Sequence, residues 1–373
     1  MATTNPAAVP AKPLAPPDAG RVAETVRMKV PFSAECASLT ALAGDASNRR
    51  YFRIGLKGDG PASLILMQLA EPEAFKQSEE AVSGASIQIN ELPFTNVLSH
   101  LTKVGVTVPL LYFYDRDAGL LYLEDFGDLS LAEACRHADL PTVERLYRKA
   151  VDGLVVLQAK GTALRDPGCI AFHRSFDVPL LVWEFEHFLE YGIEARRNKP
   201  MDEEDRRIIR AEFRKIAELL AGQPQVFVHR DYHSRNLMVD GGRLGVIDFQ
   251  DALMGPASYD LASLLRDAYI RLDEELIDRL IDHFLDGLAA QGQAPNPEAF
   301  RRLFDLTSIQ RNLKAAGRFV YIDRVKHNPK FLADIPRVLG YVKHNLMKYP
   351  ELATLRKHLT PYVPELQSAD HEF

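Results

Sequence analysis

Several features that mark other protein classes are scarce or absent in this sequence of 373 residues. Its three cysteines, Cys36, Cys135 and Cys169, are far apart and match no metal-ligand spacing. We therefore expect reduced thiols in a cytoplasmic protein rather than a disulfide framework or a zinc site. Lys and Arg number 45 against 51 Asp and Glu, and the net charge of −6 argues against a nucleic-acid partner. No apolar run approaches the ~20 residues that cross a bilayer, so no membrane partner is expected.

The N-terminal segment lacks the apolar core of a signal peptide. Residues 1–20 are rich in alanine and proline. We interpret them as a disordered tail. The remaining chain is long enough for two lobes with separate cores.

The most informative stretch contains Asp231, Asn236 and Asp248. Asp231 and Asn236 lie five positions apart in a loop between short apolar runs, and Asp248 ends a third apolar run after a Gly-Gly turn. Phosphoryl transfer needs one carboxylate near the acceptor hydroxyl and oxygen ligands for Mg²⁺ at the β- and γ-phosphates. The spacing therefore predicts a kinase-like site, in which Asp231 accepts or orients the hydroxyl proton and the other two bind the metal. An ordinary surface loop is the alternative. The segment His229–Asn236 is called the HRD loop below.

The sequence ahead of this loop predicts short antiparallel strands. Strands are expected over Ser38–Ala43 and Tyr51–Leu56, with a small polar hairpin between them. Its backbone N–H groups, its hydroxyl and its arginines can donate hydrogen bonds to nucleotide phosphates. The residues of this candidate phosphate site are Gly44, Asp45, Ala46, Ser47, Asn48, Arg49 and Arg50.

The third predicted strand, Ser63–Met67, lacks the lysine that grips the phosphates in protein kinases. Arg50, Arg53 and Lys76 are the candidate replacements, and the sequence does not choose among them. Helices are predicted over Pro72–Gln88 and Phe94–Val104. Two further strands follow at Val108–Tyr114 and Gly119–Leu123.

The second of these strands leads into a segment typical of the hinge between kinase lobes. There the backbone groups of Glu124, Asp125 and Phe126 are predicted to hydrogen-bond the adenine edge. A strand that simply runs into a turn is the alternative.

From Leu129 onward the apolar period changes to about 3.6, which predicts helices, for example over Thr142–Gln158. Glu184 and Glu186 lie on different sides of another predicted helix; Glu184 is a candidate substrate contact, although a solvated glutamate is the default. Asp260 opens a later helix and is a candidate brace for the HRD loop. The remaining candidate substrate contacts are His233, Arg235, Gln310, Arg311 and Lys314. The last three can share a helix face that binds hydroxyls and a carboxylate, or can form a plain solvated face.

Together these motifs resemble the aminoglycoside phosphotransferase and choline kinase superfamily, the small-molecule relatives of protein kinases. Asp248 is followed by no Ala-Pro-Glu element and no long activation segment. The hairpin, the HRD loop and the segments Ile247–Ala252 and Gly255–Pro256 look most like the anomeric kinases of bacterial cell-wall recycling. Those enzymes phosphorylate the C1 hydroxyl of N-acetylmuramate and N-acetylglucosamine. Asn48, where an aromatic residue is expected, departs from the familiar pattern.

The resemblance implies an α+β, protein-kinase-like bilobal fold. A small antiparallel-sheet lobe at residues 21–126 would bind the nucleotide, and a mostly helical lobe at 127–373 would hold the catalytic loop and the sugar. It further implies ATP and Mg²⁺ as cofactors, Asp231 as the catalytic base, an amino-sugar substrate and a monomer. A kinase of an aminoglycoside, a choline-like amine or homoserine shares the core motifs, and a nucleotide-binding pseudokinase is the remaining alternative.

Overall fold

The computed structural model describes residues 15–42, 49–69 and 91–367. The helix predicted over Pro72–Gln88 and the hairpin residues Gly44–Asn48 lie outside these ranges. The described residues fall into two compact units. The first contains those within residues 1–75 together with Pro109–Asp125, and the second contains those within residues 76–108 together with Phe126–Phe373. Residues 91–108, which the sequence analysis assigned to the N-terminal lobe, therefore group with the second unit.

The first unit is built on a five-stranded antiparallel sheet with the strand order β1-β2-β3-β5-β4. The strands are β1 Ala34–Ala41, β2 Arg50–Gly58, β3 Ser63–Gln68, β4 Leu111–Asp115 and β5 Leu120–Glu124. Alternate residues of the central strands turn apolar side chains to one face, as the period of a strand requires. That buried face includes Phe52, Ile54, Leu64, Leu66, Leu120 and Tyr122.

A helix that the sequence analysis missed covers this face. Helix α1 (Ala19–Lys29) is capped by Asp18, whose side chain accepts a hydrogen bond from the Arg21 N–H at 2.7 Å. Val22 and Val26, one turn apart, are fully buried in the same core. The interpretation of residues 1–20 as a tail is therefore wrong at its end, because the helix begins at Ala19.

The second unit is mostly helical. Its helices among the described residues are α2 Pro93–Lys103, α3 Leu131–Cys135, α4 Leu140–Ala163, α5 Val178–His187, α6 Glu203–Ala221, α7 Ser258–Leu265, α8 Glu274–Ala290, α9 Pro297–Lys326, α10 Ile335–Lys348, α11 Ala353–Leu359 and α12 Pro364–Gln367. A π-helical turn, Phe188–Ala195, continues α5, and 3₁₀ turns occur at Ile170–His173, Pro329–Asp334, Pro350–Leu352 and Thr360–Tyr362. The α+β prediction is confirmed. Within the described ranges, no helix has the length and apolar character needed to cross a membrane.

Two small antiparallel pairs of strands lie among these helices. Strand β6 (Gln225–Val228) pairs with β9 (Leu253–Pro256), and β7 (Leu237–Asp240) pairs with β8 (Arg243–Val246). The HRD loop connects β6 to β7, and residues 247–252 connect β8 to β9. The HRD loop therefore lies beside the segment that carries Asp248.

Helix α9 supplies polar side chains to the interior of this unit. It packs against α7 and against the π-helical turn. Its central part carries polar side chains that are almost completely buried: Asp305, Thr307, Ser308, Gln310, Arg311 and Asn312. A plain solvated face, one of the two interpretations of this helix, is therefore wrong.

Candidate active site

The peptide group of Ile247 joins the HRD loop to the turn that carries Asp248. Its N–H donates to the carbonyl oxygen of Asn236 at 3.0 Å. Its carbonyl oxygen lies 3.0 Å from Nε2 of His229. Since Asp248 is the next residue, these two bonds fix the Asp248 backbone beside Asn236, although the two residues are 12 positions apart in the chain.

His229 orients the start of the HRD loop. It is fully buried, and its Nδ1 accepts a hydrogen bond from the Asp231 N–H at 3.2 Å. Nδ1 is thus an acceptor, so the ring proton lies on Nε2 and is donated to Ile247. Burial lowers the pKa of His229, which favours this neutral form. The sequence analysis gave His229 no role, because its partner Ile247 lies far along the chain.

Two buried carboxylates hold the loop backbone. Oδ2 of Asp260 accepts from the His229 N–H at 2.7 Å, and Oδ1 accepts from the Arg230 N–H at 2.9 Å. Asp267 accepts from the Ser234 N–H at 2.8 Å. The Asp260 bonds hold Arg230 at φ 80°, a conformation that costs a residue with a Cβ about 1–3 kcal/mol. The prediction that Asp260 braces the catalytic loop is confirmed, whereas Asp267 was missed.

Asp231 differs from these braces. It is half-buried, and within the described residues its carboxylate receives no hydrogen bond. Burial would raise its pKa, but the charges of Lys314, His233, Arg230 and Arg311 outweigh burial and lower the pKa well below its usual range. The carboxylate is therefore ionised at neutral pH and can accept a hydrogen bond from an incoming hydroxyl.

Asn236 and Asp248 present oxygen atoms beside this carboxylate. Nδ2 of Asn236 donates to the carbonyl oxygen of Asp231 at 2.9 Å, which leaves Oδ1 as the acceptor end of the amide. Asp248 is exposed and has φ 64°, and Gln250 donates to its Oδ1 at 2.9 Å. One amide oxygen and one carboxylate match the one or two protein ligands that Mg²⁺ usually takes, with waters and phosphates completing the shell.

Glu184 is fully buried, so the default interpretation of a solvated glutamate is wrong. Its oxygens accept from Arg230 at 3.0 Å and from Gln310 at 2.7 Å, and Lys314 Nζ lies 2.8 Å away. Glu184 thus ties α5 and α9 to the HRD loop. The sequence held a signal for this: Glu184 interrupts an apolar stripe formed by Leu180, Leu181, Phe185 and Phe188.

Two of the other candidate substrate contacts, His233 and Arg235, lie against Tyr269. The His233 ring meets the Tyr269 ring edge-on at 5.2 Å, and the Arg235 guanidinium lies 3.6 Å above the same ring. The Arg311 residue is only 7% exposed. Of the five candidates, Gln310 and Lys314 thus have Glu184 as a partner, and His233 and Arg235 share Tyr269.

In the first unit, some candidate nucleotide contacts already have protein partners. Asp125 pairs with Arg53 at 2.6 Å and accepts from the Ser63 hydroxyl at 2.7 Å. The Glu124 N–H donates to the Leu110 carbonyl at 2.8 Å.

Three cations were proposed to replace the strand lysine. One of them, Arg53, is bound to the Asp125 carboxylate. The Arg50 guanidinium lies 5.1 Å from the Phe52 ring centroid, and Lys76 lies outside the described residues. Phe126 belongs to the second unit, where it packs on Gly245: a Cβ there would come within 2.4 Å of the ring.

Comparisons with known proteins identify the family of this chain. A family model described as "Phosphotransferase enzyme family" matches residues 38–304. N-acetylmuramate/N-acetylglucosamine kinase from Neisseria meningitidis serogroup B is 34% identical over 321 residues, which are 85% of this chain and 88% of that protein. The enzyme of the same name from Pseudomonas putida is 32% identical over 324 residues, 85% of this chain and 86% of that one.

A solved structure shows the same fold. The choline/ethanolamine kinase family protein from Mesorhizobium loti superposes with a TM-score of 0.55 at 16% identity, covering 94% of this chain and 99% of that one. The predicted kinase-like fold and the predicted superfamily are thereby confirmed. This chain belongs to the phosphotransferase enzyme family.

Proposed function

We propose that this protein transfers the γ-phosphoryl group of ATP to the anomeric (C1) hydroxyl of N-acetylmuramate, N-acetylglucosamine or both. The observation that carries the proposal is the ionised Asp231 carboxylate, which receives no hydrogen bond within the described residues while its neighbours are firmly braced. The choice of sugar is based on the names of the relatives, which are 32–34% identical over most of the chain.

Asn236 and Asp248 would bind Mg²⁺ through Oδ1 and the carboxylate. When bound, the ion would supply positive charge that stabilises the negative charge developing on the transferred phosphoryl group. Two observations support this role: Nδ2 of Asn236 donates a hydrogen bond to the Asp231 carbonyl oxygen, which orients the amide, and Asp248 has a left-handed backbone conformation. In the first unit, the predicted Gly44–Arg50 hairpin and Glu124–Asp125 would hold the nucleotide. Phe126, the remaining predicted nucleotide contact, is the next residue in the chain.

Asp231 would accept a hydrogen bond from the C1 hydroxyl and hold it in line with the phosphoryl group. A carboxylate with a low pKa is a weak base, so orientation comes first and the proton moves only as the bond to phosphorus forms. An anomeric hydroxyl is more acidic than an ordinary alcohol, and therefore suits such a base. His233 and Arg235 would contact the sugar, while Glu184 positions Arg230, Gln310 and Lys314.

The charges around Asp231 argue against the other acceptors. The positive charges of Lys314, Arg230 and Arg311 act on the carboxylate and lower its pKa, and they would repel a polycationic aminoglycoside. A choline-like amine needs an aromatic cage. Aromatic rings do cluster at Trp183, His187, Tyr191 and Tyr321. The Arg318 guanidinium already lies 4.9 Å from the Tyr321 ring centroid. An acidic or neutral sugar meets neither obstacle.

A panel of amino sugars and alcohols with Mg²⁺-ATP, followed by ³¹P NMR of the product, tests the proposal. We expect a sugar 1-phosphate from N-acetylmuramate or N-acetylglucosamine and no turnover of aminoglycosides or choline. A 6-phosphate or 3-phosphate would contradict the anomeric assignment. We expect the protein to be cytoplasmic and its active species to be a monomer. Sedimentation of the purified protein would check that it is a monomer.

A further inference from the structure

Arg311 is a buried cation that has no partner among the described residues. Its side chain is only 7% exposed on α9, and no hydrogen bond or ion pair reaches its guanidinium from the described residues. Taking a charge out of water costs several kcal/mol unless an opposite charge and hydrogen bonds compensate. An uncompensated guanidinium at this depth therefore calls for an explanation.

The nearby carboxylates do not explain it, because each already has other donors. Glu184 is bound by Arg230, Gln310 and Lys314. Asp260 accepts two backbone N–H groups of the HRD loop.

Asp267 likewise has a donor on each of its oxygens. It accepts the N–H groups of Ser234 at 2.8 Å and Tyr269 at 2.9 Å. Asp231 remains, and it too receives no hydrogen bond from the described residues. Arg311 and Asp231 are thus two opposite charges in the same neighbourhood, without a contact that joins them.

Both charges belong to one braced frame. Gln310, adjacent to Arg311, and Lys314, one turn further along α9, are held by Glu184. Glu184 in turn holds Arg230, the residue before Asp231. The backbone positions of Arg311 and Asp231 are therefore fixed, although their charged groups are left unpaired.

We propose that Arg311 binds the carboxylate of an acidic acceptor sugar while Asp231 receives its hydroxyl. N-acetylmuramate carries a lactyl ether carboxylate that N-acetylglucosamine lacks, and a guanidinium can bind a carboxylate through two parallel hydrogen bonds. Arg311 is then the residue that distinguishes the acidic sugar from the neutral one. This inference rests on the proposed function.

The test compares both sugars in the wild type, Arg311→Gln and Arg311→Lys. In Arg311→Gln we expect the KM for N-acetylmuramate to rise about 10- to 100-fold, as for the loss of a charged hydrogen-bonded contact. The KM for N-acetylglucosamine should change less than about threefold, because no contact is lost. Arg311→Lys should restore part of the affinity for the acidic sugar, since it keeps the charge but not the two-pronged geometry.

The matched control is Arg324→Gln, the same substitution at a 47% exposed side chain on the same helix. It should leave both KM values unchanged. Melting temperatures of all variants verify folding; Arg311→Gln should not melt earlier, because it breaks no hydrogen bond within the described residues.

Two results overturn the inference. If Arg311→Gln lowers turnover of both sugars equally, Arg311 acts on the phosphoryl group or on Asp231 rather than on the sugar carboxylate. If Arg311→Gln lowers the melting temperature and lowers the turnover of both sugars, the role of Arg311 is structural. Failure of the wild type to phosphorylate either sugar would instead overturn the proposed function, and this inference with it.

Discussion

Two sets of charged side chains in the second unit differ in their hydrogen-bond partners. The bracing carboxylates, Glu184, Asp260 and Asp267, have donors on both of their oxygens. The open pair, Asp231 and Arg311, has no hydrogen-bond partner for its charged groups within the described residues. The difference separates the groups that hold the backbone from the groups that would meet substrate.

The hydrogen bonds of the bracing carboxylates offset the free-energy cost of leaving Asp231 and Arg311 unpaired. A half-satisfied polar group in the interior costs about 1–3 kcal/mol, and an unpaired charge costs more. The HRD loop also contains Arg230 at positive φ, and the turn beyond it contains Asp248 at positive φ. The bonds to Asp260, Glu184 and Ile247 offset these costs. Substrate then supplies the contacts that the fold leaves out.

The largest effect should follow from removing the charge of the open pair at Asp231. Asp231→Asn keeps the shape but no longer accepts the hydroxyl proton, so kcat should fall about 100- to 10,000-fold. Nucleotide affinity, measured by calorimetry, should be unchanged, because Asp231 is not proposed to touch the nucleotide. A kcat within tenfold of the wild type would refute its role as the base.

Asp248→Asn should produce the next largest loss. Asparagine tolerates the left-handed backbone that Asp248 adopts, so the fold is kept while the metal loses a charged ligand. We expect kcat to fall about 1,000-fold and the Mg²⁺ concentration at half-maximal rate to rise. Asp240→Asn, in the adjoining hairpin, is the control and should leave the Mg²⁺ titration unchanged. An equal shift in both variants would argue against Asp248 as the ligand.

Breaking the bracing set should reduce stability as well as rate. Glu184→Gln leaves Arg230 and Lys314 buried without their counter-charge, which costs about 3 kcal/mol of unfolding free energy. Glu186→Gln, two residues away, removes only an exposed pair with Arg210 and should cost less than about 1 kcal/mol. Urea denaturation measures both. Similar losses would mean that Glu184 is not the brace that its burial indicates.

A smaller effect concerns pH. Burial raises the pKa of Asp260 from 3.8 to about 7. From about pH 4 to about pH 7 the native state therefore binds a proton that the unfolded state has lost, and stability falls as the pH rises through this window. We expect the wild type to lose about 1–3 kcal/mol more than Asp260→Asn between these limits. Parallel stability profiles for the two proteins would contradict the raised pKa.

The sequence predicted what local patterns encode. Local sequence patterns located the strands of the first unit, and the period of 3.6 located helix α4, because each pattern lies within one element. The spacing of Asp231, Asn236 and Asp248 likewise located the candidate site, and the position of Asp260 at a helix start gave its bracing role.

What escaped prediction depends on partners far apart in sequence. Glu184 contacts Arg230, 46 positions away, and Gln310, 126 positions away, so its own helix could not show whether it was solvated. His229 gains its role from Asp231, Ile247 and Asp260, and the last two lie 18 and 31 positions away. Helix α1 was missed although Asp18, Val22 and Val26 form a cap and a buried stripe. Residues 19–20 were assigned to the tail, and no element was predicted between residue 21 and the first strand.

The claim that the C1 hydroxyl is the acceptor can be tested with one pair of substrates. N-acetylglucosamine and its methyl glycoside differ only in that the glycoside has no free C1 hydroxyl. Phosphate transfer from radiolabelled ATP should proceed with the free sugar and fall to the background of ATP hydrolysis with the glycoside. Phosphorylation of the methyl glycoside at a comparable rate would contradict the account, because another hydroxyl would then be the one that Asp231 orients.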